Sequence, residues 1–210
     1  MARIELEGHE GHRFFLVVEG DPRGEPVAVV FPGLRYSPAR PLLHYTSKLL
    51  RARGWAVVEA WYDYDRPEFL TAAEADRHSW ITADAAAVWR WVRGHARPRL
   101  LVGKSIGTLA MAFLLRDARD AAAAKVWLTP LLRADDVLHA IAEDPAPGLL
   151  VAGGADPATP PELLEGLERP GLHTLVLPGA GHGLEVKEPL PSLDLMRDYL
   201  QSLDAFLGAL

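Results

Sequence analysis

The 210 residues carry 22 Lys and Arg against 28 Asp and Glu, a formal net charge of −6, with 49% hydrophobic residues and no cysteine. That length and balance suit one globular domain. The charge argues against a nucleic-acid partner, which needs clustered cations to displace phosphate counterions, and the missing cysteine excludes disulfides, thiolate catalysis and Cys-based zinc sites. Residues Met1 to Glu7 alternate in polarity without an apolar h-region, and no apolar stretch nears the roughly 18 residues that span a bilayer. A cytoplasmic protein without a membrane partner is the expectation.

In chain order, Arg3–Glu7 and Arg13–Glu19 read as a hairpin around the turn-like Gly8-His9-Glu10-Gly11-His12. Pro26–Phe31 is a nearly unbroken apolar run, the pattern of a strand buried on both faces, and it ends at Pro32-Gly33. Leu42–Arg53 reads as a helix closed by Gly54, Trp55–Trp61 as a strand, and Ala73–Arg93 as a long helix with Gly94 after it. Strands Leu100–Val102, Lys125–Leu128, Gly148–Ala152 and His173–Leu177 then alternate with helices Ile106–Arg116, Asp135–Ala142, Pro161–Leu167 and Ser192–Leu207. Such alternation means βαβ units: a single α/β domain, a three-layer αβα sandwich about a mostly parallel sheet of roughly eight strands. The apolar last helix could serve as core or as the face of a homodimer.

Gly103-Lys104-Ser105-Ile106-Gly107 is a G-x-S-x-G that directly follows a strand and opens a helix. In that context it reads as a nucleophile elbow. The serine sits on a strained turn, the glycines admit close backbone approach, and the Ile106 N–H at the helix start faces a developing oxyanion. Two blander readings exist: chance spacing, and a serine that merely caps the helix. Gly103-Lys104-Ser105 also matches the tail of a phosphate-binding P-loop. That motif needs a glycine where this chain has Pro98, and a loop where it has a strand.

A serine hydroxyl needs a base held in one tautomer by an acid. His182, in Gly179-Ala180-Gly181-His182-Gly183 after the last strand, is the candidate base; the other seven histidines lack this placement. Asp156, in Gly153-Gly154-Ala155-Asp156-Pro157 after the preceding strand, is the candidate acid, with Asp135 and Asp136 as competitors. Asp156 could equally initiate a turn before Pro157. All three residues end strands, where open parallel sheets place their sites. The loop after the third strand supplies the second oxyanion donor, with the Leu34 N–H paired with that of Ile106; a plain Pro-Gly turn is the alternative. No metal or cofactor is expected.

At these residues, and over essentially its whole length, the chain resembles the α/β-hydrolase superfamily, most closely the compact cap-less members near the dienelactone hydrolases and small carboxylesterases. The resemblance implies an eight-stranded sheet with one antiparallel strand near its start, and acyl transfer through a covalent serine ester that water then attacks. Larger lids of this superfamily are usually inserted where this chain has only about 19 residues, Thr129 to Pro147, which implies an open, shallow site. Phe31-Pro32-Gly33-Leu34 departs from the His-Gly start of many esterase oxyanion loops, and Lys104 from the commoner His, Asp or Tyr before the nucleophile. A salt bridge beneath the elbow is one role open to Lys104.

Tyr62, Tyr64 and Phe69, in the longest irregular segment, could line an acyl or alcohol pocket or form a plug over a helix. Trp80, Trp89 and Trp91 read as core. The expected activity is a serine hydrolase acting on a small carboxylic ester or related acyl substrate. A thioesterase, amidase or lactonase with the same triad is an alternative, as is a non-catalytic binding protein that keeps the fold.

Overall fold

The computed structural model describes residues 1–117 and 124–210. Its eight strands are β1 (Ala2–Glu7), β2 (Arg13–Glu19), β3 (Val27–Phe31), β4 (Ala56–Trp61), β5 (Pro98–Lys104), β6 (Ala124–Leu128), β7 (Gly148–Gly153) and β8 (Leu172–Leu177). They form one sheet in the order β1-β2-β4-β3-β5-β6-β7-β8, in which β2 alone runs against its neighbours, pairing antiparallel with both β1 and β4. The helices are α1 (Pro41–Ala52), α2 (Pro67–Leu70), α3 (Glu74–His95), α4 (Gly107–Asp117), α5 (Asp135–Glu143), α6 (Pro161–Glu165) and α7 (Pro189–Gly208). None of the helices among the described residues is long and apolar enough to cross a membrane.

The central strands β3, β6 and β7 are buried at every position, β3 and β7 as their unbroken apolar runs require, and β6 with its one charge, Lys125, ion-paired to Asp144 at 3.0 Å. Successive residues then serve opposite layers. Phe31, Leu101, Trp127 and Leu150 face a core closed by α3, α4 and α5. Val30, Val102, Val126, Leu149 and Val151 face a second core closed by α1 and α7, whose inward stripe is Met196, Tyr199, Leu203, Phe206 and Leu207. At α1 the Gly54 N–H bonds the Arg51 carbonyl and the Trp55 N–H that of Leu50, with Gly54 at φ 77°, so a glycine ends the helix as expected. Gly94 does not cap α3, which continues through it to His95. The helix stops instead before Ala96, whose extended backbone leads to Pro98.

The irregular segment after β4 contains the short α2, and its aromatic residues form a plug rather than a pocket wall. Tyr62 stacks on Tyr64, Tyr64 on Phe69, and Phe69 meets Trp80 edge-on. Tyr64 and Phe69 are buried, as is Trp89, while Trp80 and Trp91 pack partly buried against the same core. Under this plug lies Asp84, wholly buried, accepting the Tyr64 hydroxyl at 3.0 Å and the His9 backbone N–H at 2.9 Å. Burial raises its carboxyl to about 6, against the pull of the His9 N–H and Tyr64 hydroxyl bonds.

The folded protein therefore holds a proton here at pH values where the unfolded chain has released it. The resulting stability is full below about pH 4 and is lost as pH rises through about 6. A carboxyl held at about 6 corresponds to about 3 kcal/mol, less about 1 kcal/mol for a weakened Tyr64 bond in an amide variant. Asp84→Asn is thus expected to be more stable than wild type by about 1–2 kcal/mol in urea denaturation at pH 8. The advantage should vanish near pH 4; an advantage that persists there would show that the carboxylate's charge is not its origin.

Candidate active site

The loops at the C-terminal ends of β3, β5, β6, β7 and β8 converge on one rim of the sheet. Ser105 stands between β5 and α4 with φ 53°, a left-handed conformation costly for a residue with a Cβ. Three contacts hold it there. Its N–H donates to the Leu128 carbonyl at 3.0 Å, and its carbonyl accepts the Thr108 N–H at 2.9 Å and the Thr108 hydroxyl at 2.6 Å.

The flanking glycines are required by space. A Cβ on Gly103 would collide with the Met111 sulfur and come 2.8 Å from the Gly107 carbonyl oxygen. One on Gly107 would collide with the Phe31 carbonyl oxygen and come 2.8 Å from that of Pro32. The elbow thus packs backbone to backbone against the end of β3.

His182 Nε2 lies 2.8 Å from Ser105 Oγ, and His182 Nδ1 lies 2.8 Å from Asp156 Oδ2. The structure therefore brings the three sequence-predicted side chains into one hydrogen-bonded chain. Asp156 is 4% exposed, and its other oxygen, Oδ1, accepts the Ala158 N–H at 2.9 Å. The turn-forming role and the contact with His182 are thus both realised, one oxygen each. Asp135 and Asp136, the competing acids, are exposed in the first turn of α5, where Asp136 lies 3.8 Å from His78. The His182 loop is seated on β7 by the Ala155 N–H, which donates to the Ala180 carbonyl, and a Cβ on Gly153 would collide with that same carbonyl oxygen.

Leu34 stands at the tip of a turn in which the Gly33 N–H donates to the Tyr36 carbonyl and the Tyr36 N–H to the Gly33 carbonyl, with Arg35 at φ 54°. Those bonds engage the ends of the turn. The N–H groups of Leu34 and of Ile106 have no acceptor among the described residues. The Leu34 loop lies against the elbow: a Cβ at Gly33 would stand 3.3 Å from Ser105 Cβ.

The connection from β6 to β7 holds only α5, so nothing inserted there covers the rim. The imidazole is 38% and Leu34 36% exposed, figures that describe an open, shallow site. A cleft of about 440 Å³ lined by His78, Phe113, Arg116, His139 and Asp144 shares no residue with this rim. No cluster of three or more His, Asp or Glu side chains among the described residues could hold a metal ion.

Among the described residues Lys104 forms no salt bridge. Its buried Nζ instead donates to two neutral oxygens, Thr129 Oγ1 at 3.2 Å and the His182 carbonyl at 3.0 Å, because no carboxylate among the described residues lies within 4.0 Å of it. Burial pushes its ammonium down to about 8, while the more distant charges of Asp156 and Glu185 act in the opposite sense. Thr129, at φ 41° just past β6, and Tyr36 are members of the site that the sequence reading did not single out. Thr129 was findable, since it follows the strand Lys125–Leu128 at the same end of the sheet as the other three.

No protein-family model matches the chain, and no curated protein matches it either. Solved structures do. A putative α/β hydrolase from Agrobacterium tumefaciens superposes with a TM-score of 0.75 at 21% identity, covering 99% of this chain and 97% of its own. An α/β serine hydrolase without a lid from Xanthomonas campestris gives 0.71 at 20% identity, covering 99% and 94%. An esterase from Pyrococcus furiosus gives 0.73 at 13% identity, covering 99% and 92%. End-to-end coverage at these scores, the strand order with its one reversed member, and the short β6–β7 connection agree: the chain has the α/β-hydrolase fold, in its lidless form.

Proposed function

We propose that this protein is a serine hydrolase that cleaves a small carboxylic ester, or a related acyl compound, through a covalent acyl-serine. The observation that carries the proposal is the Ser105–His182–Asp156 chain, with both links at 2.8 Å on an accessible rim. Ser105 Oγ attacks the substrate carbonyl while His182 Nε2 takes its proton. Asp156 accepts the Nδ1–H, which holds the tautomer that leaves Nε2 free to act as base, and balances the imidazolium that forms. The N–H groups of Leu34 and Ile106 receive the oxyanion. Collapse of the tetrahedral intermediate breaks the bond to the alcohol, which leaves with the proton from His182. Water then repeats the attack on the acyl-serine, losing its proton to His182, and releases the acid and free Ser105.

Several features support small, accessible acyl groups as substrates. The rim is open, and the aromatic residues after β4 are engaged in their own plug. Among the proteins of similar fold are an esterase and a serine hydrolase. A labelled fluorophosphonate is expected to modify Ser105 stoichiometrically, and p-nitrophenyl esters to show turnover that falls as the acyl chain lengthens from acetyl and butyryl to long chains. A fluorophosphonate that leaves Ser105 unmodified would remove the proposal; a chain-length series that rises instead would correct the substrate class.

A further inference from the structure

The reaction written above gives Lys104 no part, yet its side chain reaches the loops after β3, β6 and β8. It ends β5 immediately before Ser105, and it passes beneath the Leu34 loop, where a Cβ on Gly33 would stand 3.3 Å from its Cδ. The ammonium faces the Tyr36 ring at 4.8 Å and donates to Thr129 Oγ1 and the His182 carbonyl. Two of its N–H groups thus have neutral acceptors, and the Tyr36 ring faces the ammonium as a cation–π partner. A buried ammonium without an ion-pair partner is a poor contributor to stability, because desolvation outweighs what neutral acceptors return.

Glycines flank His182 on both sides, in a turn closed by the Gly181 N–H to the Glu185 carbonyl and the Leu184 N–H to the Gly181 carbonyl. The bond from Lys104 is the one hydrogen bond that the His182 backbone makes among the described residues. We infer that Lys104 is a positioning residue: its ammonium clamps the His182 carbonyl and so keeps the imidazole within reach of Ser105 Oγ. This rests on the hydrolase reading. The charged and titratable groups around Lys104 are Asp156, Glu185, His182 and Tyr36. With its ammonium titrating near 8, the charge-assisted clamp weakens to a neutral amine bond as the solution turns alkaline.

The test uses the full chain and a p-nitrophenyl ester. Lys104→Met is expected to lower kcat by about 10- to 100-fold, the scale of a misplaced catalytic group, with KM changed by less than about 3-fold. Its urea midpoint should equal or exceed that of wild type, since an apolar side chain replaces a buried charge. Wild type should lose kcat as pH rises through about 8, and Lys104→Met should lack that decline. Where Lys104→Met does not fold, Lys104→Arg decides: it keeps its charge at every pH, so its kcat should not decline near pH 8, and a decline unchanged from wild type overturns the inference.

Wild-type kcat that stays flat to pH 10 overturns the inference. So does a Lys104→Met enzyme with unchanged kcat, or one whose loss of kcat follows a lowered urea midpoint. If fluorophosphonate labels wild-type Ser105 while Lys104→Met works normally, only this inference falls. Failure to label wild type removes the hydrolase reading and the inference together.

Discussion

Ser105→Ala is expected to lower kcat for p-nitrophenyl acetate and butyrate by about 10⁴- to 10⁶-fold, with the protein still folded. The substitution deletes the attacking oxygen and leaves His182 bonded to Asp156 and the N–H groups of Leu34 and Ile106 unengaged. A small residual rate over water would then measure what those donors contribute by themselves. Stability should change by no more than about 1 kcal/mol, because alanine and serine bear the same strain at φ 53° and the backbone contacts to Leu128 and Thr108 persist. Steady-state kinetics on protein with an unaltered urea midpoint checks this. Activity kept within 10-fold of wild type would assign the hydrolysis to another group.

Gly107→Ala is expected to be the most damaging single methyl group in the chain's elbow, at a cost of about 3 kcal/mol or more. The added carbon meets two backbone carbonyl oxygens, those of Phe31 and Pro32, at the end of a central strand. A flexible side chain could swing aside; β3, paired on both edges, cannot. Any relief pushes the Pro32–Leu34 segment away from Ile106, so activity in the fraction that folds should fall as well. Gly94→Ala is the matched control: it lies exposed within α3 with nothing inside 4 Å of its Cβ position, and should raise stability by up to about 1 kcal/mol through helix propensity. Urea denaturation of the two variants side by side gives opposite signs. Equal and small effects would mean that the close packing of elbow and strand is not a constraint.

Much of this architecture was legible before any coordinates. The apolar run Pro26–Phe31 announces a strand buried on both faces, and Lys125–Leu128 and Gly148–Ala152 read as further strands, each within a residue or so of β3, β6 and β7. Gly-x-Ser-x-Gly after one such strand, and Gly-rich loops holding Asp156 and His182 after two others, mark the rim where the side chains meet. Boundaries drifted by a few residues, most at α7, which begins at Pro189 rather than Ser192 because a proline suits a first turn.

Other features were not local. The stacking of Tyr62, Tyr64 and Phe69 into a plug depends on Trp80 and on the buried Asp84, both from a different element. Gly94 looked like a helix end because glycine often is one, whereas α3 runs on to His95 and carries the exposed glycine inside it. For Lys104 a salt bridge beneath the elbow was one open role. That its ammonium would instead reach a backbone carbonyl 78 residues away could be seen only once β8 and its following loop were set beside β5.

Residue order alone determined the placement of a serine at a tight turn, an imidazole and a carboxylate, each just past the end of a strand. Periodicity and glycine placement encode short-range sterics, and those are local. Distances, burial and the partner of each buried donor belong to residues far apart in the chain, so they took their values only when the sheet closed around β3 and β5 and brought five loops to one edge.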